Sequence, residues 1–124
     1  MLRKRGSVQK KELPMEVLEE RKDDIHIFKI SGRLDSKTSP EFEERIAEAS
    51  KQGINKMVFD FKDLEYISSA GLRVILKTTK ELKRENGTLV LCSLQDYVKE
   101  VFEIAGFDTF LPIVPNLDDA LNKF

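Results

Sequence analysis

Residues 57–76 read MVFDFKDLEYISSAGLRVIL. The first residues are nearly continuous in apolar side chains, as a strand buried on both faces requires, and a strand is expected over 56–61. A polar loop is expected over 62–67. A helix then begins near Ser68 or Ser69, with Leu72, Ile75, Leu76, Thr79 and Leu82 on one face at helical spacing. A buried strand that feeds an amphipathic helix is half of a strand–helix–strand crossover. The stretch therefore predicts an α/β fold.

The same pattern continues on both sides. Glu85-Asn86-Gly87 ends the helix, and TLVLC (88–92) reads as a second central strand. Val98, Val101, Phe102 and Ala105 mark a further helix, closed by Gly106. FLPIV (110–114) fits a short edge strand, because Pro112 does not suit a central one. Asn116 caps a last helix with Leu117, Ala120, Leu121 and Phe124 on one face. Asp118 and Asp119 suit its positive N-terminal end. Towards the N-terminus, SPEFEERIAEASKQG (39–53) predicts a helix. Ser39 stands at its N-cap, Pro40 at its first position, Phe42, Ile46 and Ala49 on one face, and Gly53 at its stop. Before it, MEVLEE (15–20) and DIHIFKISG (24–32) read as two strands joined by the polar turn 21–24. The expected class is α/β: a small mixed β-sheet with helices packed on it, right-handed parallel crossovers and an antiparallel opening hairpin.

The chain of 124 residues suits one domain. Apolar residues make up 40%, enough for a core, and charged residues make up 35%, above the usual quarter. Residues 1–13 carry five basic side chains against Glu12, and are expected to be a basic, flexible tail. The domain proper is expected over 14–124. The formal net charge of −1 argues against general electrostatic binding to nucleic acid, so no direct nucleic-acid partner is expected. No run approaches the length of a membrane span, and no apolar region follows Met1-Leu2-Arg3-Lys4-Arg5 as a secretory signal would require. A cytoplasmic protein without a membrane partner is the expectation. With one histidine and one cysteine, far apart, the sequence implies no metal and no other cofactor.

Two adjacent hydroxyls, Ser68 and Ser69, then stand at the start of a helix after a parallel strand, where open α/β sheets carry their sites. Local physics favours a cap, in which a serine oxygen accepts a backbone N–H for about 1 kcal/mol. A phosphate is also well tolerated at a helix N-terminus. A nucleophilic serine needs a neighbouring base, and His26 lies inside a predicted strand. Asp60 and Asp63 near a strand end raise a receiver-like phosphoaspartate, but DIHIFKI supplies no acidic pair at a strand's C-terminal end.

The chain resembles the STAS domain family of bacterial anti-sigma factor antagonists. ISGRLDSKTSPEFEERI (30–46), MVFDFKDLEYISSAGLRVIL (57–76) and VFEIAGFDTFLPIVPNLDDAL (101–121) carry the likeness, which covers roughly residues 15–124. By position, the family's phosphorylatable serine falls on Ser69 and its motif glycine on Gly71. Ser68 stands where the family's sporulation and stress antagonists have aspartate, a departure from that motif, although S-S-A-G-L is a form shared by many members. Asp35 matches the loop aspartate of G-x-L-D. The resemblance implies a binding protein with no enzymatic activity of its own. Its partner would be an anti-sigma factor that is also a GHKL-type serine kinase, met by Asp35, Ser68, Ser69, Gly71 and Leu72. Binding would release a sigma factor, phosphorylation of Ser69 would end the interaction, and a metal-dependent serine phosphatase would reset it. The alternative is a STAS binding module outside sigma control, a scaffold subunit or the partner of a lipid transporter.

Overall fold

The computed structural model describes residues 14–124, so the expected tail, 1–13, lies outside the described residues. Eight-residue β1 (Met15–Lys22) and ten-residue β2 (Ile25–Leu34) pair antiparallel, with Val17 opposite Ile30 and Lys22 opposite Ile25. The turn between them is tighter than the expected 21–24: Asp23 takes φ of 56°, a left-handed conformation that aspartate tolerates. Helix α1 (Ser39–Lys51), β3 (Lys56–Asp60), β4 (Leu64–Ile67), α2 (Ser69–Arg84), β5 (Thr88–Cys92), α3 (Asp96–Ile104), β6 (Ile113–Val114) and α4 (Leu117–Leu121) follow. The sheet runs β1-β2-β3-β5-β6, with β2, β3, β5 and β6 parallel. It is the mixed sheet that the sequence predicts.

Alternation along the strands makes two cores. Phe28, Ile30 and Leu34 of β2, Met57 and Phe59 of β3, and Leu89 and Leu91 of β5 face one side. There they meet Phe42 and Ile46 of α1, Val74 and Ile75 of α2, and Val98 and Phe102 of α3. Ile25, Ile27, Val58, Val90 and Cys92 face the other side, under Ala120, Leu117 and Leu121 of the short α4. β3 is buried on both faces, as its apolar run requires. The rings of Phe28, Phe42 and Phe59 meet edge to face with centroids 5.0–5.9 Å apart, a geometry worth about 0.5–1.5 kcal/mol per pair beyond area burial.

Several boundaries differ from the sequence reading, each for a tertiary reason. Gly32 does not end β2. With φ of +89° it sits at a register shift and allows close approach, since a Cβ there would lie 2.4 Å from the Pro14 carbonyl oxygen. β2 therefore continues to Leu34, and its extension needs a partner. That partner is β4, inside the expected loop 62–67; Leu64 and Ile67 are buried and pair beside Gly32 and Leu34. Ser39 is not the N-cap of α1. Thr38 is, Ser39 is the first helical residue, and the two side chains are buried beside the turn at Asp35. The buried stripe of α2 runs through Val74 and Thr78 rather than Thr79. The buried Thr78 hydroxyl donates to the Val74 carbonyl at 2.8 Å, which satisfies it within the helix. Helix α3 stops at Ile104, so Ala105 is an exposed cap residue rather than part of the core stripe. Phe124 lies beyond the end of α4 and is exposed. Asn116 caps α4 as expected, its side chain accepting from the Asp119 N–H at 2.8 Å.

Candidate functional site

Two contacts hold the start of α2 on the sheet, and one bond opens the helix itself. The Ser68 N–H donates to the Leu34 carbonyl at 2.8 Å, which ties the strand end of β4 to that of β2. The Ser68 carbonyl accepts the Leu72 N–H at 3.0 Å and opens the helix. Gly71 is buried against Leu34 and Ile67. A Cβ there would lie 2.7 Å from Ile67 Cγ1 and 3.1 Å from Leu34 Cβ, so glycine sets how closely α2 meets the sheet.

The side chains at this helix start do not behave as caps. Ser68 has the extended backbone of an N-cap, but its hydroxyl makes no cap hydrogen bond. It is buried with no partner among the described residues. The local expectation of a capping serine is thus corrected. The N–H groups of Ser69, Ala70 and Gly71 accordingly have no protein acceptor among the described residues. Ser69 is exposed at the first helical position, and Leu72 is half-buried against the main core. The result is an exposed hydroxyl at the positive end of a 16-residue helix, with open donors around it.

Asp35 belongs to the same edge. It follows Leu34, and its carboxylate accepts the backbone N–H groups of Lys37 at 3.0 Å and Thr38 at 3.1 Å, and the Thr38 hydroxyl at 3.2 Å. The Lys37 N–H above all, with Thr38 and nearby Arg33, holds its carboxyl below the usual aspartate range, against a smaller opposing effect of burial. Asp35 thereby shapes the turn into α1. Beside it, the Arg33 guanidinium lies 4.2 Å from the centroid of the Tyr66 ring, joining β2 to β4. Sequence reasoning missed this Arg33–Tyr66 pair because it missed β4.

Asp35, Ser68, Ser69, Gly71 and Leu72 are thus brought to one edge of the fold, at the ends of β2 and β4. His26 is not. It sits eight residues before Leu34 on β2, roughly 26 Å away at about 3.3 Å per residue. Its Nε2 pairs with Glu19 Oε1 at 2.8 Å and its ring packs on Phe28. It cannot serve as a base for Ser69. Asp60 is buried at the end of β3 and accepts the Lys62 N–H at 3.1 Å, while the Asp63 carbonyl accepts the Gly32 N–H at 3.0 Å. Both line a groove of about 800 Å³ beside Lys29 and Leu117, away from Ser69. Among the described residues, no group of three or more His, Cys, Asp and Glu side chains is placed to hold a metal ion. No helix there is long and apolar enough to cross a membrane.

The described residues thus form a small mixed sheet that presents an exposed serine at a helix start, beside the turn shaped by Asp35. The STAS domain model matches residues 17–120, and the chain belongs to the STAS domain family. It is 38% identical over 102 residues to BtrV of Bordetella bronchiseptica, named as an anti-sigma factor antagonist, covering 82% of this chain and 88% of that one. It is 31% identical over 111 residues to the anti-sigma-B factor antagonist of Listeria monocytogenes, covering 89% and 95%. Among solved structures it is similar to an anti-sigma factor antagonist from Mycobacterium paratuberculosis, with a TM-score of 0.81, 27% identity and coverage of 88% and 92%. The antagonist SpoIIAA, solved in unphosphorylated and phosphorylated forms, has the same fold, with TM-scores of 0.77 and 0.70 at 19% identity.

Proposed function

We propose that this chain is an anti-sigma factor antagonist switched by phosphorylation of Ser69. In the unmodified form, Asp35, Ser68, Ser69, Gly71 and Leu72 contact an anti-sigma factor that is also a GHKL-type serine kinase, and the sigma factor is released. The kinase then transfers a phosphoryl group from ATP. Ser69 Oγ bonds to the γ-phosphorus, the bond from that phosphorus to the bridging oxygen of ADP breaks, and the hydroxyl proton leaves to a base of the kinase. A metal-dependent serine phosphatase reverses the modification. The observation that carries this reading is the exposed Ser69 on an α2 start whose first N–H groups have no protein acceptor among the described residues. The names of the relatives support the antagonist role.

The modification adds about −1.5 to −2 charge at pH 7. The open helix end tolerates it, so the fold survives and the switch acts through local charge and bulk. A partner surface fitted to a neutral serine loses affinity. A penalty of roughly 3 kcal/mol is about a hundredfold.

The test is incubation with the cognate kinase and ATP, read by mass spectrometry. Phosphate on Ser69, absent in Ser69→Ala, supports the switch. Phosphate on Asp60 or Asp63 supports a receiver-like role instead. No modification, together with stable assembly into a complex that lacks a kinase, supports a scaffold or transporter-partner role.

A further inference from the structure

Ser69 and Arg73 stand one turn apart on α2, the i, i+4 spacing at which helix side chains meet, with Cβ atoms about 5–6 Å apart. Both are exposed. Arg73 takes part in none of the ion pairs among the described residues. Lys77, one turn further on, is already engaged: its Nζ donates to Glu43 Oε2 at 2.6 Å.

Arg73 lines a shallow cleft of about 310 Å³ between the first turns of α1 and α2, with Ser39, Glu43, Ala70 and Lys77. The cleft favours an anion on independent grounds. Ser39 is 3% exposed, and its hydroxyl has no partner among the described residues. At its α2 edge the Ala70 N–H has no acceptor among the described residues, and neither do those of the adjoining Ser69 and Gly71, which lie outside the cleft lining. Glu43, the one carboxylate in the lining among the described residues, is offset by Lys77. Asp35, in the turn before α1, is committed to the N–H groups of Lys37 and Thr38.

We propose that Arg73 receives the phosphate carried on Ser69. A guanidinium presents paired donors that match two phosphate oxygens, which a lysine cannot reproduce. In the unmodified protein Arg73 stands beside Ser69, open to a carboxylate of the partner. After phosphorylation the same guanidinium turns to the phosphate. The partner then meets a new dianion and also loses a cation, so one group transfer changes two contacts. The inference deepens the switch reading and rests on Ser69 being the modified residue.

The experiment installs phosphoserine at position 69 of the full chain during translation, so that no kinase is needed. The second ionisation of the phosphate is followed by ³¹P NMR titration. Nearby charges that enter the midpoint are Arg73 and Lys77 on α2, Glu43 on α1, and Asp35 and Lys37 in the turn before α1. The parent midpoint is expected about half a unit or more below that of Arg73→Gln, with Arg73→Lys between. Amide spectra verify that each variant is folded. Coincident midpoints in the parent and Arg73→Gln overturn the proposal. Kinase labelling of Ser69 is a separate readout. Its failure alongside separated midpoints removes the switch reading and leaves the phosphate–arginine pairing in place.

Discussion

Gly71 faces Leu34: a Cβ on the glycine would lie 3.1 Å from the Leu34 Cβ, and 2.7 Å from Ile67 Cγ1. The first turn of α2 therefore rests directly on the paired ends of β2 and β4. Gly71→Ala gains about 1 kcal/mol in helix propensity. Overpacking costs about 1–3 kcal/mol, because Leu34 is fully buried and cannot yield. A net loss of about 1 kcal/mol is expected in chemical denaturation. A stabilised Gly71→Ala protein would show that the helix start is free to shift.

Ser68 gives the opposite sign from an ordinary N-cap. Its hydroxyl is buried and has no partner among the described residues, so Ser68→Ala removes no hydrogen bond seen there and relieves an unsatisfied group. The expected change lies between zero and a gain of about 1 kcal/mol, against the usual cap loss of about 1 kcal/mol. Ser68→Asp places an acceptor by the open N–H groups and is expected to raise stability by about 0.5–1 kcal/mol. Thermal unfolding of both variants checks the pair of signs.

Phosphomimicry reads the switch without a kinase reaction. Ser69→Ala is expected to keep binding to the kinase partner, and Ser69→Asp to weaken it about tenfold or more, since 1.4 kcal/mol is a factor of ten. Calorimetry on both variants measures the difference. Amide spectra of the two are expected to differ only near the start of α2. Changes throughout the core would contradict a local switch.

Cys92 supplies an alkaline limit. Burial, and then the neighbouring Asp60 charge, push its thiol up to about 11. The unfolded thiol ionises near about 8.5. In this window the folded state holds a proton that the unfolded state has lost, so stability falls as pH rises from about 8.5 towards about 11. Cys92→Ala is expected to flatten that slope. Iodoacetamide at pH 8 is expected to modify the native thiol only as fast as the chain opens.

The acid limit has the reverse sign. Asp35 is held below the usual aspartate range by the Lys37 N–H and its neighbours. For Glu19, burial raises the carboxyl, but hydrogen bonds from Arg45 and His26 outweigh it and the net direction is down. Both contribute stability that is complete above their ordinary values and is lost as pH falls through the lowered ones. Asp35→Asn is expected to reduce the acid dependence of unfolding, measured as denaturation midpoint against pH.

Much of the fold was legible because hydrophobic period reports burial directly. Met57, Val58 and Phe59 announced a central strand, and Phe42, Ile46 and Ala49 announced the inner face of α1. Short β4 was not legible. Its four residues show no alternation that a loop could not also show, and its reason for pairing is the extension of β2 past Gly32. Arg73 was visible in sequence as the residue four positions after Ser69. Its significance required the cleft between α1 and α2.

The order of the elements other than β4, the mixed sheet and the position of Ser69 at a helix start were determined by the sequence alone. Each follows from local periodicity and from residues that end helices. Tertiary structure decided what the two serines are. The Ser68 hydroxyl is buried without a partner among the described residues, Ser69 is exposed, and Gly71 sets the approach to Leu34 and Ile67. Those facts depend on how far α2 sits from the paired ends of β2 and β4. That distance is set by packing between residues distant in sequence, which no local pattern encodes.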